Sequence, residues 1–301
     1  MDTGKWLNML ALCIVNGCFA VAGIILNSLV ILSFWKSTQL RKKLCYFLIF
    51  VLACSDLVVV TIIHPLLFFS TIFWYTRGSI IPFIFDPFFG FSMFTLLTMN
   101  LERYWAVRHP YFHQRSITKR RLLGLLLIFW SFVVMISVLS HKKIIPRDIP
   151  GLAILGVIFL LILYINYQMM ATVHAIRQSD ALVVRYHTNE RQDLNIEIAT
   201  GENRGNADIK GASTCCIAIL CFFVCSFPVL LHNGLWYARK EALSPEIRMP
   251  FLLWAETFLS MNSTFNCVIF FYKTTALRRE GKKMLGQCCL IVGNVNNNTS
   301  V

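Results

Sequence analysis

Seven long apolar stretches follow one another along this 301-residue chain, separated by short polar segments. Three of them, at 6–35, 149–176 and 211–238, contain no Asp, Glu, Lys or Arg. A helix of roughly 20 apolar residues crosses the hydrocarbon core of a bilayer. The pattern therefore predicts an all-α protein, a bundle of seven transmembrane helices. The other four stretches carry at most one acid each: 44–75, 78–101, 122–140 and 249–272.

The composition agrees with a membrane protein. Hydrophobic residues make up 56% of the chain and charged residues 14%, and the mean hydropathy is +0.62. These values leave little polar surface for a soluble fold of this size. We predict an extracellular tail at 1–8, one membrane domain at 9–272, an amphipathic helix at 273–287 and a cytoplasmic tail at 288–301. The first stretch is longer than the core of a signal peptide, and we expect it to insert uncleaved.

The distribution of positive charge predicts the orientation. The net charge is +13, but the basic residues concentrate on alternate connections rather than forming a nucleic-acid-binding surface. By the positive-inside rule, the richer set of connections is cytoplasmic. We therefore predict a multi-pass plasma membrane protein with its N-terminus outside and its C-terminus inside, in contact with anionic inner-leaflet lipids and with no nucleic-acid partner. The richer set holds 20 of the 28 basic residues: 36–43, 102–121, 177–210 and the segment after 272.

A few polar side chains lie within the apolar stretches. Such groups are costly at membrane depth, so each is a functional-site hypothesis. The third stretch also ends in the triplet Glu102-Arg103-Tyr104. The polar residues inside the stretches are Asn27, Asp56, Ser92, Asn262 and Asn266.

The order of these residues resembles that of rhodopsin-class G-protein-coupled receptors over about residues 10–286. The resemblance implies a receptor, not an enzyme, that binds an extracellular ligand. It also implies activation of a heterotrimeric G protein through outward movement of helix six. The matching positions are Asn27 in helix one, Leu52, Ala53 and Asp56 in helix two, Glu102-Arg103-Tyr104 in helix three, Trp130 in helix four, Cys225 and Pro228 in helix six and Asn266 in helix seven.

The chain departs from the family pattern at several positions. Ser226 stands where the family has the helix-six tryptophan. Cys267 and Phe270 stand at the positions of the helix-seven proline and tyrosine. Gly78 replaces the cysteine at the outer end of helix three, and the loop 141–149 has no cysteine to pair with one.

The resemblance implies switch roles. In the family, the arginine matched by Arg103 is held by its neighbouring acid, Glu102, and by a helix-six acid that Asp208 matches. A pair across two helices that releases when helix six swings out is a bistable element. The alternatives are an Arg103 that snorkels to lipid headgroups and an Asp208 that is one more solvated loop residue. The other positions implied for coupling are Tyr104, Tyr167, Asn266 and Phe270.

A sodium site is also implied by the resemblance. Asp56, Ser92, Asn262 and Asn266 match the residues that bind sodium in the resting state of the family, and hard oxygen ligands suit such a cation. Asn27 belongs to the same polar core. The alternative is a protonated Asp56 held by hydrogen bonds.

The ligand pocket is the least determined site. Asp86 falls one residue, or about 100° around a helix, from the position that pairs with amine ligands, and Glu256 is a second candidate counter-ion. A cationic small molecule, a peptide and a lipid all stay open as ligands. Aromatic residues at such positions are more often packing and lipid-facing bulk than a ligand cage. The residues expected to line the pocket are His64, Phe68, Asp86, Phe89, Trp236 and Glu256.

The C-terminal segment suggests further partners. Cys288 and Cys289 resemble the palmitoylation site that follows the amphipathic helix. Thr299-Ser300-Val301 has the pattern that PDZ scaffolds bind by adding a β-strand, although a plain disordered tail is the alternative. The resemblance also implies arrestin as a partner.

Non-receptor functions find less support. A transporter or membrane enzyme would show an inverted repeat or metal-ligand histidines. The one i,i+4 pair of histidines, His109 and His113, lies in a basic loop without a partner cluster. A retinal photoreceptor needs a lysine in helix seven, and none occurs between Arg248 and Lys273.

Overall fold

The predicted helix is present at each apolar stretch. The structure is a computed structural model that describes residues 3–72, 80–145, 148–187, 195–238, 245–284 and 286. Within these residues it contains helices and no strand, as the sequence predicts. The seven long helices are, in order, Thr3–Lys36, Leu44–Ile72, Ile80–Arg108, Lys119–His141, Asp148–His187, Asn195–Ala238 and Pro245–Lys273.

Most of these helices are suited to a bilayer. In the described part of the chain, five helical segments are long and apolar enough to span a membrane: Thr3–Lys36, Leu44–Ile72, Lys119–His141, Gly156–Ile176 and Ser213–Leu235. The third and seventh helices have 29 residues each. At 1.5 Å per residue each is about 44 Å long, which also exceeds the roughly 30 Å of hydrocarbon.

Short helices connect the long ones. Thr38–Lys42 begins after Ser37, whose hydroxyl accepts a hydrogen bond from the Leu40 amide. Pro110–Ser116 begins with a proline, a residue that needs no amide partner at a helix start. A further helix covers 275–284, so it begins two residues later than predicted, because Lys273 still belongs to the seventh helix.

The chain divides into two compact units, whose boundaries fall inside the third and sixth helices. The first unit comprises Met1–Ser92 and Cys221–Val301. In it the first helix packs against the second and seventh. Gly23 permits that approach, since a Cβ there would collide with Val60 and Thr264. The core of this unit includes Leu12, Val59, Ile63, Leu67, Leu253 and Leu259.

The second unit, Met93–Leu220, holds the remaining helices. The rings of Phe94 and Phe129 stack at 4.6 Å and join the third helix to the fourth. The Arg108 guanidinium donates to the Thr172 hydroxyl at 2.9 Å, which joins the third helix to the fifth. The Cys216 thiol donates to the Asn166 side-chain oxygen at 2.9 Å, which joins the sixth helix to the fifth.

A π-helical turn at Val59–Ile63 interrupts the second helix. Asp56 and His64 lie on either side of it, and both are fully buried. Eight residues of regular α-helix would turn the second side chain about 80° past the first. A π turn takes up one extra residue without adding its usual rotation. The second side chain then lies roughly 20° short of the first, instead of about 80° past it. Both polar side chains can therefore face the protein interior.

Candidate functional site

The carboxylate of Asp56 is the centre of a buried polar cluster in the first unit. Its Oδ1 accepts a hydrogen bond from the Ser92 hydroxyl at 2.8 Å. Its Oδ2 accepts one from the Asn266 side-chain amide at 3.0 Å. Ser263 also contacts the carboxylate. Asp56 thus joins the second, third and seventh helices, and the structure brings together three of the residues that the sequence places in a sodium site.

Unused acceptors lie close to this carboxylate. Among the described residues, the side-chain oxygens of Asn262 and Asn266 are buried without a hydrogen-bond partner. Ser92, Asn262 and Ser263 line a cavity with room for about one water molecule. Carboxylate, hydroxyl and amide oxygens are the ligands that a hard cation takes. The donor set therefore fits a sodium ion or an ordered water.

Asn27 extends the cluster to the first helix. Its amide donates to the carbonyl of Gly23 at 2.9 Å and to that of Ser263 at 3.4 Å. Its Oδ1 accepts from the Cys267 thiol at 2.9 Å. Cys267, which stands where the family has proline, therefore adds a side-chain donor. It also leaves a backbone N–H that proline would lack.

A second network lies on the C-terminal side of the π turn, around His64. The Nδ1 atom of His64 lies 2.8 Å from the Asn16 side-chain oxygen. The Asn16 amide donates to the Leu12 carbonyl and to the Thr257 hydroxyl, both at 3.0 Å. His64 is 0% exposed, so it ties the first, second and seventh helices together and does not line an open pocket. Asn16 and Thr257 are not among the residues predicted from the sequence. Asn16 could have been found, because it is a polar residue within an apolar stretch.

The aromatic contacts differ from the family pattern on the sixth helix. Phe89 stacks on Phe222 with ring centroids 5.1 Å apart and planes at 14°. The Ser226 hydroxyl folds back onto the Phe222 carbonyl at 2.6 Å. Phe222, one turn before Ser226, therefore supplies the ring that meets Phe89.

The structure describes fewer contacts for the other residues that were predicted to line the pocket. Phe68 meets Phe69 edge to face at 5.7 Å. Glu256 is 8% exposed and lies next to Thr257 on the seventh helix. Asp86 lies in the third helix and Trp236 in the sixth, but their side chains are outside the described part.

The triplet near the C-terminal end of the third helix forms an ion-paired cluster in the second unit. Arg103 binds the Glu102 carboxylate with two donors, Nε to Oε2 at 2.6 Å and Nη2 to Oε1 at 2.8 Å. The Nε2 atom of His113 lies 2.9 Å from the same Oε1. The Glu102 side chain is 1% exposed, so two basic side chains surround a buried acid. No pattern in the sequence indicates that His113 would reach Glu102.

The arginine of this cluster also contacts the sixth helix. A Cβ at Gly211 would lie 3.2 Å from Arg103 Nη1, so the guanidinium packs directly against the backbone there. Asp208 lies about one turn before Gly211 on the same helix, but its side chain is outside the described part. The Arg103–Asp208 pair therefore stays a prediction. Tyr104 meets His109 edge to face at 6.2 Å.

Two further predicted coupling residues differ in exposure. Phe270 is 2% exposed, whereas Tyr167 on the fifth helix is 72% exposed. The residue of the fifth helix that bonds to the sixth is Asn166, the neighbour of Tyr167. A link between Tyr167 and position 270 stays a prediction. Cys288, Cys289 and the tripeptide Thr299-Ser300-Val301 lie outside the described residues.

Several known receptors are similar to this chain. Residues 26–142 match the family described as 7 transmembrane receptor (rhodopsin family). The alpha-1A adrenergic receptor of Oryzias latipes is 24% identical over 92% of this chain and 67% of that receptor. Neuromedin-U receptor 2 of Mus musculus is 32% identical over 41% of this chain, a match that spans only 33% of that receptor's length.

The fold has a solved counterpart. The crystal structure of squid rhodopsin matches with a TM-score of 0.79 and 15% sequence identity, over 96% of this chain and 88% of that one. This similarity confirms the predicted seven-helix membrane fold.

Proposed function

We propose that this chain is a member of the rhodopsin family of seven-transmembrane receptors, which its residues 26–142 match, and that it binds an extracellular ligand and activates a heterotrimeric G protein. It is a multi-pass membrane protein and not an enzyme. The observation that carries the proposal is the cluster of Glu102, Arg103 and His113 beside the backbone of Gly211. In the proposed orientation, with the N-terminus outside, this cluster faces the cytoplasm at the plasma membrane.

The contacts of Arg103 support a resting state in which this residue is held and must be released before a G protein can bind. Arg103 directs two of its N–H donors at Glu102, and its guanidinium packs against the sixth helix. Outward movement of the sixth helix would remove that packing and free one face of the guanidinium for a G protein. A side chain at Gly211 would press on Arg103, whose guanidinium would have to shift by a few tenths of an ångström. Asp208 would add an acid to the same resting contact.

The Asp56 cluster would be the second element of the switch. We propose that, in the resting state, a sodium ion or a water occupies the small cavity lined in part by Ser92 and Asn262, beside the side chains of Asp56 and Asn266. The unpartnered oxygens of Asn262 and Asn266 support this proposal, because buried oxygens without partners are rare in folded proteins. The ligand would bind outward of this cluster, near Phe89 and Glu256, and its class stays open.

The experiment that tests the function is nucleotide exchange on purified Gα subunits by the reconstituted chain. Arg103→Ala should reach the cell surface and lose exchange. Arg120→Ala, which removes an exposed cation from the start of the fourth helix, is the matched control and should keep it. If Arg103→Ala is delivered normally and catalyses exchange as well as the control, the proposed role of Arg103 is wrong.

Other proposed partners concern the tail. Palmitoylation at Cys288 and Cys289 would hold the tail at the membrane, with arrestin as a further partner of the active state. The free carboxylate after Thr299-Ser300-Val301 would bind a PDZ domain. A peptide of residues 290–301 should then bind one with micromolar affinity, and amidation of its C-terminus should abolish binding. If the peptide binds no PDZ domain on an array, the proposal of a PDZ partner is wrong.

A further inference from the structure

A dense basic surface lies at one end of the first unit. It is formed by two segments, 36–43 and 273–283, which we call the basic surface. These segments contain nine Lys and Arg residues and a single acid, Glu280. All nine basic side chains are exposed: Lys36, Arg41, Lys42, Lys43, Lys273, Arg278, Arg279, Lys282 and Lys283.

The two segments are held next to each other. The Arg279 guanidinium donates to the Gln39 side-chain oxygen at 3.1 Å and so joins them. Leu40 anchors the first segment and Leu277 the second, with 1% and 2% exposure. Gly281 packs tightly against the ring of Phe271, where a Cβ would not fit. The backbone segments that carry the nine cations are therefore held next to each other, and only the side chains have to be ordered when they bind one ligand together.

Aromatic side chains mark the membrane depth of this surface. Trp35 and Tyr272 are 62% and 71% exposed, and each directly precedes a basic residue at the end of a long helix, Lys36 and Lys273. Exposed Trp and Tyr concentrate where the hydrocarbon meets the headgroups. The Lys273 ammonium lies 5.5 Å from the centre of the Tyr272 ring. The basic surface is thus at headgroup level.

We propose that the basic surface is a binding site for a membrane lipid whose headgroup carries several phosphates, such as a phosphoinositide bisphosphate. Clusters of four to eight cations just inside a transmembrane helix are typical of such lipids. A headgroup with two phosphate monoesters carries about three to four negative charges, since each has a charge of about −1.5 to −2. It can therefore engage cations from both segments at once, whereas phosphatidylserine carries one net negative charge. The inference rests on the proposed orientation, which places this surface in the cytoplasmic leaflet.

The test is lipid binding to the full chain in nanodiscs that contain phosphatidylcholine and a fluorescent phosphatidylinositol bisphosphate. The double variant Lys42→Gln with Lys282→Gln removes one charge from each segment. Because each cation near a surface contributes about 1 kcal/mol, its affinity should fall about tenfold or more. Each single variant should lose an intermediate amount, since both segments contribute.

A matched control removes two charges from elsewhere on the same side of the membrane. Arg115→Gln with Arg120→Gln changes two exposed residues outside the basic surface and should bind the lipid as the parent chain does. Phosphatidylserine at equal total charge should compete weakly, and the soluble bisphosphate headgroup should bind less tightly than the lipid. Equal losses in the double variant and the control, or equal competition by phosphatidylserine, would overturn the proposal. If the soluble headgroup binds as tightly as the lipid, the conclusion that the ligand is a membrane lipid is wrong. Nucleotide exchange, measured in lipid without phosphoinositide, reports separately on the receptor function.

Discussion

Two buried acids of the described residues, Asp56 and Glu102, are satisfied in opposite ways. Asp56 in the first unit is held by neutral donors, a hydroxyl and an amide. Nearby are two amide oxygens without partners and a space the size of a water. Glu102 in the second unit is held by an arginine and a histidine, and both of its oxygens are occupied.

The difference suggests two kinds of switch element. The Asp56 cluster has unused oxygens, so a small mobile species can complete it and leave again without breaking a bond between side chains. The Glu102 cluster is already complete, so it changes only when a pair within it separates. Breaking a buried ion pair by removing one partner costs about 3–5 kcal/mol. We therefore expect the first cluster to respond mainly to ions and the second mainly to side-chain substitutions.

The largest effect is expected from Glu102→Gln. The substitution keeps the shape of the side chain but removes the charge that holds Arg103 and His113. Arg103 should be released more readily, and basal nucleotide exchange should rise tenfold or more at equal expression. Glu280→Gln, which changes a partly exposed acid with lysine and arginine neighbours, is the control and should have little effect. Unchanged basal exchange in Glu102→Gln would show that the ion pair does not restrain the switch.

The next effect concerns Phe270, which lies about one turn beyond Asn266 on the seventh helix. In the family a tyrosine here bonds through water to the fifth helix when the sixth helix is out. Phe270→Tyr should restore a hydrogen bond that contributes about 0.5–1.5 kcal/mol. Basal exchange should then rise up to roughly tenfold. A basal level at or below that of the parent chain would count against this mechanism.

Sodium should act on the Asp56 cluster and not on the Glu102 cluster. If sodium binds only the resting fold, a concentration of about ten times Kd stabilises it by about 1.4 kcal/mol. The thermal midpoint of the purified chain should therefore be higher in sodium chloride than in choline chloride at equal ionic strength. Asp56→Asn should remove the difference, whereas Glu102→Gln should retain it. A difference that persists in Asp56→Asn would place the ion elsewhere.

The smallest effect is expected at Cys267, at the edge of the Asp56 cluster. Its thiol donates to Asn27, and a hydrogen bond of this kind contributes about 0.5–1.5 kcal/mol. Cys267→Ala should lower the thermal midpoint by a few degrees, whereas Cys267→Ser, which keeps a donor, should lower it less. Equal losses in the two variants would mean that the thiol acts through packing alone.

The sequence predicted the elements better than the contacts between distant segments. The helices follow from apolar length, and the contacts of Asp56 with Ser92 and Asn266 follow from motif positions in different helices. The partner of Glu102 did not follow, because His113 reaches it through a short helix whose placement no pattern in the basic loop encodes. The burial of His64 depends on the π turn at Val59–Ile63, and apolar β-branched residues there are equally compatible with a regular helix.

The contacts of the first helix also bear on how the protein is made. The amide of Asn27 bonds to a carbonyl 236 residues later in the chain, and that of Asn16 bonds to a hydroxyl 241 residues later. A ribosome adding 5–20 residues per second needs roughly 10–50 s to cover such a distance. During that interval the first helix has been synthesised and its partners in the seventh helix have not. Closure of the first helix onto the seventh is therefore a late step of biogenesis, and the Asp56 cluster, which needs Asn266, is completed only after the last membrane helix has been synthesised.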